Sequence, residues 1–415
     1  MTLLSPSSPP LSMPERGSGA AAMRIAIVSH FSYGSLSGRA VGRLVGGVEW
    51  QTSLTARWLA ARGHDVSMLT WDEGGPAREV IDGVRVIKMC RQDAGLQGLR
   101  FFHPRWSSLL RALRAADAEV YYQNCGEYVT GQVAWWCRRN GRAFVYSVAS
   151  DPDCDPALPE MKTLRERVLY RYGLRHADRL IVQTRRQQEM LRAGFGLEST
   201  WIPMPCAGPS DDEYLPPAPP EAGRARVAWV GRIAPLKRLE WLLDAADAMP
   251  DVTFDVVGPP DPESDYTRAL ADRARAMGNV RLHGRVDRTL MAQVYRRAAA
   301  LCCTSRFEGF PNTFLEAWSH GVPVVSTVDP DGVIAGRGLG VAAADLPAII
   351  AGLRRLLESP DHWRRASENG RRYFRNHHAL PEVMPRFESV FRQLRDETDA
   401  STAPAVERRR LWRFS

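Results

Sequence analysis

Short apolar runs alternate with amphipathic stretches along most of this chain, and the alternation predicts strands followed by helices. Residues 24–29 read Arg-Ile-Ala-Ile-Val-Ser, which is typical of a strand that is buried on both faces. A helical pattern follows over residues 48–62, and the apolar run at 64–70 predicts the next strand. Strand, helix and strand in this order favour a parallel sheet that is covered by helices.

The same alternation occupies both halves of the chain, which are separated by a break. In the first half it predicts further strands at residues 84–89, 119–123, 143–148 and 179–183. Proline, acidic residues and glycine dominate residues 206–223, where the pattern stops. In the second half it predicts strands at residues 226–230, 252–257, 280–283, 299–304 and 323–327. We therefore predict an α/β protein with two Rossmann-like parallel-sheet domains.

These patterns set the expected limits of each part of the chain. The parts are a disordered leader over 1–22, an N-terminal Rossmann-like domain over 23–205, a linker over 206–224, a C-terminal domain over 225–375, a last helix over 376–395 and a disordered tail over 396–415. The leader lacks a basic start followed by an apolar stretch, so we do not expect a secretory signal. Met1 and Met23 both remain candidates for the first residue of the protein.

Composition narrows the classes of protein and of partner. The 415 residues suit two domains, the 44% hydrophobic content supports sizeable cores, and no apolar run is long enough to cross a bilayer. A net charge of +8 suits an anionic small molecule or a membrane surface. Nucleic acid is not expected as a partner, because the arginines are dispersed and no recognised motif occurs. Seven scattered cysteines without a Cys-x-x-Cys pair predict neither a metal site nor disulfides, and favour the cytoplasm.

The stretch from Ser305 to Glu316 carries the strongest chemical signal. It leads from a predicted strand into a predicted helix, and it places Glu308 and Glu316 eight residues apart across the loop. The start of a helix presents unpaired amides and a partial positive charge, which suit a phosphate, and carboxylates nearby can hold sugar hydroxyls. A simpler alternative is a capping box from Thr313 to Glu316, in which Glu316 only satisfies amides.

A second candidate segment lies upstream, where a predicted strand ends in a glycine turn with two cations. Gly231 is followed by Arg232 and then, after four more residues, by Lys237. Three of the 55 basic residues are lysines, so an ammonium stands here in a chain whose usual cation is arginine. Either cation alone would be an ordinary surface charge, but the glycine turn and the downstream glutamates favour a phosphate site.

Together the two segments resemble the retaining family-4 glycosyltransferases, also called glycosyl transferases group 1. The nucleotide-sugar domain of that family carries a Gly-Arg, a Lys and a Glu-x(7)-Glu motif in this order. The resemblance implies the GT-B fold, in which two Rossmann-like domains face each other across a cleft, with the donor on the C-terminal domain and the acceptor on the N-terminal one. It also implies sugar transfer from a UDP-, GDP- or other nucleotide sugar, with retention of configuration and without a metal ion or other cofactor.

The resemblance assigns roles to individual residues. Arg232 and Lys237 would meet the charge that develops on the departing diphosphate, as a metal does in other glycosyltransferases. Glu308 would bind the donor sugar and stabilise positive charge on it, whereas Glu316 would bind the ribose hydroxyls. The remaining expected donor-site residues are Gly47, Gly231, Gly309, Phe310, Pro311, Asn312 and Thr313.

The sequence departs from the family pattern at two places. Relatives often carry a histidine after a strand of the first domain, and Ser150 followed by Asp151 stands there instead. Either residue is a candidate replacement for that sugar contact. At Arg238 many relatives carry glycine, which we expect to restrict the loop without removing the site.

The acceptor and the partners follow only by analogy with the family. Bacterial relatives commonly build surface polysaccharides or glycoconjugates, so a sugar, lipid-linked or small-molecule acceptor and peripheral contact with the inner membrane face are expected. A catalytically degenerate nucleotide-sugar-binding protein and a sugar-nucleotide epimerase on the same fold remain alternatives. A metal-dependent, one-domain glycosyltransferase is a further one, because Asp-x-Asp strings occur at residues 151–153, 153–155 and 329–331.

Overall fold

The computed structural model describes residues 21–39, 46–221, 223–260 and 264–402. The described chain divides into two compact units. The N-terminal unit runs to Pro203 and includes the chain from Val383 onward, whereas the C-terminal unit is Met204–Glu382. The predicted leader, apart from its last two residues, lies outside the described residues.

The N-terminal unit is built on one sheet of eight strands with helices on its faces. The strands are β1 (Arg24–Val28), β2 (Asp65–Thr70), β3 (Glu79–Ile81), β4 (Val84–Lys88), β5 (Val120–Asn124), β6 (Ala143–Ser147), β7 (Arg179–Val182) and β8 (Thr200–Trp201). Their order is β3-β4-β2-β1-β5-β6-β7-β8, and every pair is parallel except β3 with β4. The helices are α1 (Tyr33–Ser37), α2 (Gly47–Ala61), α3 (Ser107–Ala116), α4 (Tyr128–Asn140), α5 (Leu164–His176) and α6 (Arg185–Phe195).

The C-terminal unit contains a second, fully parallel sheet of six strands. These are β9 (Arg226–Val230), β10 (Thr253–Val257), β11 (Val280–Gly284), β12 (Ala300–Cys303), β13 (Val324–Ser326) and β14 (Gly340–Ala342), in the order β11-β10-β9-β12-β13-β14. The helices are α7 (Leu239–Asp247), α8 (Asp265–Ala276), α9 (Met291–Arg297), α10 (Asn312–Ser319), α11 (Val333–Arg337), α12 (Leu346–Leu357) and α13 (Pro360–His377).

Strand β9 shows how the sequence pattern produces the core of this unit. Val227 and Trp229 point into one apolar cluster, and Ala228 between them points into the other. All three are buried, because helices cover both faces of the sheet. The two Rossmann-like parallel-sheet domains that the sequence predicts are confirmed.

The segment that was predicted as a linker packs instead on the C-terminal unit. The buried Arg371 of α13 donates to the carbonyls of Ser319 and Pro209 at 2.7 and 3.1 Å, and it pairs with Asp211 at 3.2 Å. Proline-rich composition indicated an irregular chain, and the chain is irregular there. The long-range contacts of Arg371 tie this irregular chain to one unit, and local sequence gives no signal for such contacts.

The last helix is longer than predicted. Helix α14 (Leu380–Thr402) groups with the N-terminal unit from Val383 onward. Phe391 is fully buried there and packs at 5.6 Å from the ring of Tyr122. A disordered tail was predicted from Asp396, but helix continues through Thr402, and residues 403–415 lie outside the described part.

Candidate functional site

The predicted donor site lies at the carboxyl ends of β9 and β12, which are neighbours in the C-terminal sheet. From β9 the chain continues outward to β10, and from β12 it continues the other way to β13. Ligands of open parallel α/β sheets bind at such a reversal, because the loops leave the sheet in opposite directions and open a crevice. Gly231 and Arg232 follow β9, and Glu308 follows β12.

The loops at this edge approach each other at backbone distance. The amide of Gly231 donates to the carbonyl of Val257 at 3.0 Å. The next residue, Gly258, has a φ of 150°, and a Cβ built on it would lie 1.8 Å from the carbonyl oxygen of Gly231. Only glycine fits at position 258, so this residue sets where the Gly231 turn can lie.

Lys237 and Glu308 form an ion pair at this edge. Their side chains are 24% and 17% exposed, so the pair is largely shielded but still reachable from solvent. Below the pair, the hydroxyl of Thr304 donates to the carbonyl of Lys237 at 2.6 Å and accepts from the indole of Trp229 at 3.0 Å. The structure therefore brings together two of the predicted catalytic residues on a supported frame.

Arg238 ties the lysine loop to the glutamate loop. Its backbone is left-handed, with a φ of 47°, a conformation that favours the glycine expected from the family pattern. Its guanidinium donates to the carbonyls of Thr304 and Ser305 at 2.7 and 3.0 Å, and it stacks on Trp241 at 3.9 Å. The arginine therefore adds a clamp between the loops at the cost of a strained backbone.

Arg232, the other predicted cation, has an exposed side chain at the end of the Gly231 turn. The adjoining Ile233 is buried and fixes the turn to the core. Arg232 is not the partner of Glu308, since Lys237 takes that place. Its predicted role toward the diphosphate stays a prediction.

Helix α10 begins next to the ion pair. Its N-cap residue is Pro311, whose side chain makes no capping hydrogen bond. Gly309, Asn312 and Thr313 are partly exposed, whereas Phe310 and Pro311 are buried behind them. The ring of Phe310 packs at 4.8 Å from that of His378, so its position is fixed by the C-terminal unit's own core.

Glu316 is buried and does not cap the helix, so the capping-box alternative is wrong. One carboxylate oxygen accepts from the hydroxyl of Tyr295 at 2.6 Å, and the other pairs with Arg288. The reason is geometric, since a helix that starts at Asn312 places Glu316 in its second turn, facing α9. Burial, reinforced by the adjacent carboxylate, raises the pKa of Tyr295 and keeps its hydroxyl a donor.

Arg288 and Tyr295 were not among the predicted site residues. Both reach Glu316 from the segment that precedes β12, and no local motif marks them. His320 stacks on Tyr295 at 5.9 Å, and burial lowers the pKa of His320 to about 4. The imidazole is therefore neutral near pH 7 and adds no charge beside the carboxylate.

The N-terminal unit holds the other predicted residues. Gly47 is the first residue of α2, and Gly46 is its N-cap. A Cβ on Gly46 would lie 2.5 Å from a carboxylate oxygen of Glu49, which folds back over the start of the helix. The Gly-Gly turn therefore makes room for Glu49, and contact of Gly47 with a donor stays a prediction.

Ser150 and Asp151, the candidate sugar contacts, lie at the carboxyl end of β6. Ser150 is the N-cap of a 3-10 turn (Asp151–Cys154), and its amide donates to Asp153 at 3.3 Å. Asp151 accepts from Gln187 at 3.2 Å and pairs with Arg186 at 3.1 Å, both on α6. The structure thus gives Asp151 a role in holding α6, and its contact with a sugar stays a prediction.

Among the described residues no group of three or more His, Cys, Asp or Glu side chains could hold a metal ion. No helix in the described part of the chain has the length and apolar character that crossing a membrane requires. The seven cysteines are unpaired, and five of them are buried.

Two protein-family models match this chain, one in each unit. The model described as Glycosyl transferase 4-like domain matches residues 46–204, and the model described as Glycosyl transferases group 1 matches residues 224–359. This chain belongs to the family-4 glycosyltransferases. The second match includes Arg232, Lys237, Glu308 and Glu316, but it ends before α13.

Curated relatives of this glycosyltransferase include several proteins named D-inositol 3-phosphate glycosyltransferase. The one from Mycobacteroides abscessus is 29% identical over 335 residues, which is 72% of each chain. The one from Mycolicibacterium smegmatis is 27% identical over 72% of this chain and 73% of its own. Others match over about half of their length, such as 52% for the Mycobacterium sp. (strain JLS) protein at 30% identity.

Solved structures support the fold. Sucrose-phosphate synthase from Thermosynechococcus elongatus superposes with a TM-score of 0.72 at 20% identity, over 89% of this chain and 98% of its own. Anabaena HepE, solved in complex with UDP and glucose, gives 0.68 at 16% identity, over 89% and 100%. At these identities the likeness establishes the GT-B fold of this glycosyltransferase.

Proposed function

We propose that this glycosyltransferase moves a sugar from a nucleoside diphosphate sugar, such as a UDP- or GDP-sugar, to an acceptor, retaining the anomeric configuration and using no metal ion. The observation that carries the proposal is the Lys237–Glu308 ion pair at the sheet reversal, directly before helix α10. A cation and a helix start suit the anionic diphosphate of such a donor, and a carboxylate at the same point suits the hydroxyls of its sugar.

The chemical step needs stabilisation of the departing diphosphate. As the bond to the anomeric carbon breaks, negative charge grows on the phosphate oxygens. The ammonium of Lys237 and the first-turn amides of α10 would meet that charge, and the exposed Arg232 would add a second cation. These groups would do the work that a divalent cation does elsewhere.

The donor sugar would take the place of Lys237 as the partner of Glu308. Sugar hydroxyls can donate to the carboxylate, while the ammonium turns to the diphosphate. The carboxylate would then stand beside the anomeric centre and stabilise its developing positive charge. Retention is proposed from the family resemblance of this segment.

Glu316 is suited to hold the ribose. A carboxylate accepts about four hydrogen bonds, and Tyr295 and Arg288 use one on each oxygen. The remaining capacity fits two neighbouring hydroxyls. Because both oxygens are already oriented by protein groups, the carboxylate is fixed before a nucleotide arrives.

For the acceptor we propose classes of molecule rather than one compound. A role in surface polysaccharide or glycoconjugate synthesis would use a sugar or a lipid-linked acceptor. The names of the mycobacterial relatives suggest a phosphorylated polyol, so inositol phosphate belongs in the first panel of acceptors.

A thermal-shift panel of nucleoside diphosphates and sugar nucleotides tests the donor, because a ligand that binds the folded state raises the melting temperature by mass action. We expect one base and one sugar to stand out. Transfer to an acceptor panel is then followed with and without a chelator, and the anomeric configuration of the product is read by NMR. Activity that survives the chelator supports metal independence, and activity lost until Mg²⁺ or Mn²⁺ is restored contradicts it.

Two other outcomes would overturn the transferase. Specific binding of a sugar nucleotide, with neither sugar transfer nor slow hydrolysis of the donor, would indicate a degenerate binding protein. Conversion of the donor into a different sugar nucleotide without an acceptor would indicate an epimerase.

A further inference from the structure

The N-terminal unit exposes a cluster of large apolar side chains. Three lie in the chain before α3, where Leu96, Leu99 and Phe102 are 74, 63 and 61% exposed. Two more start α5, where Leu164 and Val168 are 74 and 54% exposed and stand one helical turn apart. Of the large apolar side chains that are exposed in the described chain, more than half lie in these two segments.

The two segments adjoin each other. The guanidinium of Arg165, next to Leu164, stacks on the ring of Phe101 at 3.9 Å. Phe101 is itself buried and contacts Phe102 at 5.0 Å between ring centres. Leu96, Leu99, Phe102, Leu164 and Val168 are therefore treated as one surface, called the apolar patch.

The patch stands on a supported frame. The guanidinium of Arg105 donates twice to the carbonyl of Gln92, at 2.6 and 3.2 Å, which closes the segment on itself. Gly95 lies against Pro104, because a Cβ on this glycine would come within 2.4 Å of the proline ring. The exposed side chains therefore project from a chain that its own contacts hold together.

Cations and tryptophans border the apolar patch. Residues 91–106 hold three arginines and one aspartate, and residues 162–171 hold four cations and one glutamate. Trp106 packs on Trp135 at 6.1 Å, and Arg139 stacks on Trp135 at 5.1 Å. Apolar tips with arginine and tryptophan around them match the interface of a bilayer, where rings sit at headgroup level and cations meet anionic lipids.

We propose that the apolar patch docks this enzyme on the surface of a bilayer that contains anionic lipids. Charge complementarity favours this occupant over a second copy of the chain, because two identical patches would bring their arginines face to face. The inference goes beyond sugar transfer. Its test measures binding without donor or acceptor, so its failure is distinguishable from failure of the proposed activity.

Co-sedimentation of the full chain with vesicles tests the proposal. We expect binding to vesicles of phosphatidylcholine with about one-third phosphatidylglycerol, weaker binding as salt is raised, and little binding to phosphatidylcholine alone. The triple variant Leu96→Ser/Leu99→Ser/Phe102→Ser should bind at least about tenfold more weakly, because three apolar side chains no longer enter the lipid.

The matched control is Val80→Ser, which removes a side chain of similar exposure (68%) on the edge strand β3. It should bind vesicles like the wild type. All variants should keep their nucleotide binding and a melting temperature close to that of the wild type, since the changed side chains are 61 to 74% exposed.

Three results would overturn the proposal. One is absence of binding by the wild type to anionic vesicles, and another is wild-type binding by the triple variant. The third is a dimer in solution that the triple variant disperses, which would assign the apolar patch to a second copy.

Discussion

Lys237 is the residue on which the proposed chemistry depends most. We expect Lys237→Ala to lower turnover by about a hundredfold or more, because a cation that meets a developing anion is lost. Steady-state kinetics would measure this, with circular dichroism to check the fold. Lys162→Ala is the control, since that lysine is exposed in the N-terminal unit and should leave turnover with a soluble acceptor unchanged. Wild-type turnover in folded Lys237→Ala would exclude the role.

The two glutamates should separate by what they bind. Glu316→Gln should weaken the bare nucleoside diphosphate and also lower the melting temperature, because Arg288 loses its buried partner. Glu308→Gln should not weaken the bare nucleotide, since it frees Lys237, but it should depress turnover. Calorimetric titration of both variants with the same nucleotide measures the difference. Equal affinities would contradict this division.

Asp153 should make stability depend on pH. Burial raises its pKa to about 6, so the folded state holds the proton more tightly than the unfolded state does. The contribution of Asp153 to stability is therefore largest below the ordinary aspartate range and falls as pH rises toward about 6, by up to about 3 kcal/mol. Asp153→Asn should stabilise the protein more at about pH 7.5 than at about pH 4.5, measured by denaturant unfolding. An equal effect at both would count against the shift.

At the scale of single residues, sequence reasoning identified the groups that follow a strand and a glycine turn. Lys237 and Glu308 are in that class, and the fold pairs them. Arg288 and Tyr295 were not identified, because the segment that carries them contacts Glu316 only in the folded unit. Contacts of that kind depend on tertiary packing and leave no spacing to find.

The turn after β10 gives a stability prediction at the scale of elements. Gly258→Ala should destabilise the C-terminal unit by roughly 3 kcal/mol or more, since its Cβ would overlap the carbonyl of Gly231 and its φ of 150° is unfavourable for alanine. Gly278→Ala is the control, because a Cβ there meets nothing within 4 Å. Chemical denaturation compares the two. Similar stability of both variants would show that the turn can yield.

Apolar periodicity located eleven strands of the two sheets, and helix α2, to within a residue or two. It missed the short edge strands β3, β8 and β14, which hold two or three residues each and carry too little pattern to stand out. It also missed α1, a helix of five residues that is followed by Gly38 as its C-cap. Such short elements form because neighbouring strands and helices supply their partners.

The extent of the C-terminal unit leads to a prediction for the whole molecule. A fragment of residues 224–359, the range of the family match, should not fold, whereas residues 204–382 should fold and bind nucleotide without transferring sugar. The shorter piece lacks α13, where Trp363 is buried and donates to the carbonyl of Ala299 at 2.6 Å. It would also uncover Trp318, against which the backbone of Gly370 lies.

Circular dichroism and nucleotide thermal shifts on the two fragments measure this difference. A folded 224–359 fragment would contradict the role given to α13. A folded 204–382 fragment that binds no nucleotide would remove the donor site from the C-terminal unit.

At the scale of the chain, the repeated alternation of strand and helix was sufficient to predict two domains. The limits of the domains were harder, because the irregular chain from Cys206 onward looks like a linker locally. A hydrogen bond of His378 shows what places this irregular chain in the C-terminal unit. The ring of His378 donates to the carbonyl of Met204 at 2.8 Å, although the two residues lie near opposite ends of the unit's sequence. Burial lowers the pKa of His378 to about 4, so this link stays neutral and intact near pH 7.

The ion pair between Lys237 and Glu308 also has a consequence for release of the nucleoside diphosphate after each transfer. A nucleoside diphosphate left after transfer no longer brings the sugar hydroxyls that would occupy Glu308. In the proposed mechanism the carboxylate would then return to the ammonium and compete with the phosphates for it, and this competition would speed product release. Inhibition by the spent nucleotide should accordingly be weaker than the affinity of the intact donor suggests, and Glu308→Gln should remove that difference.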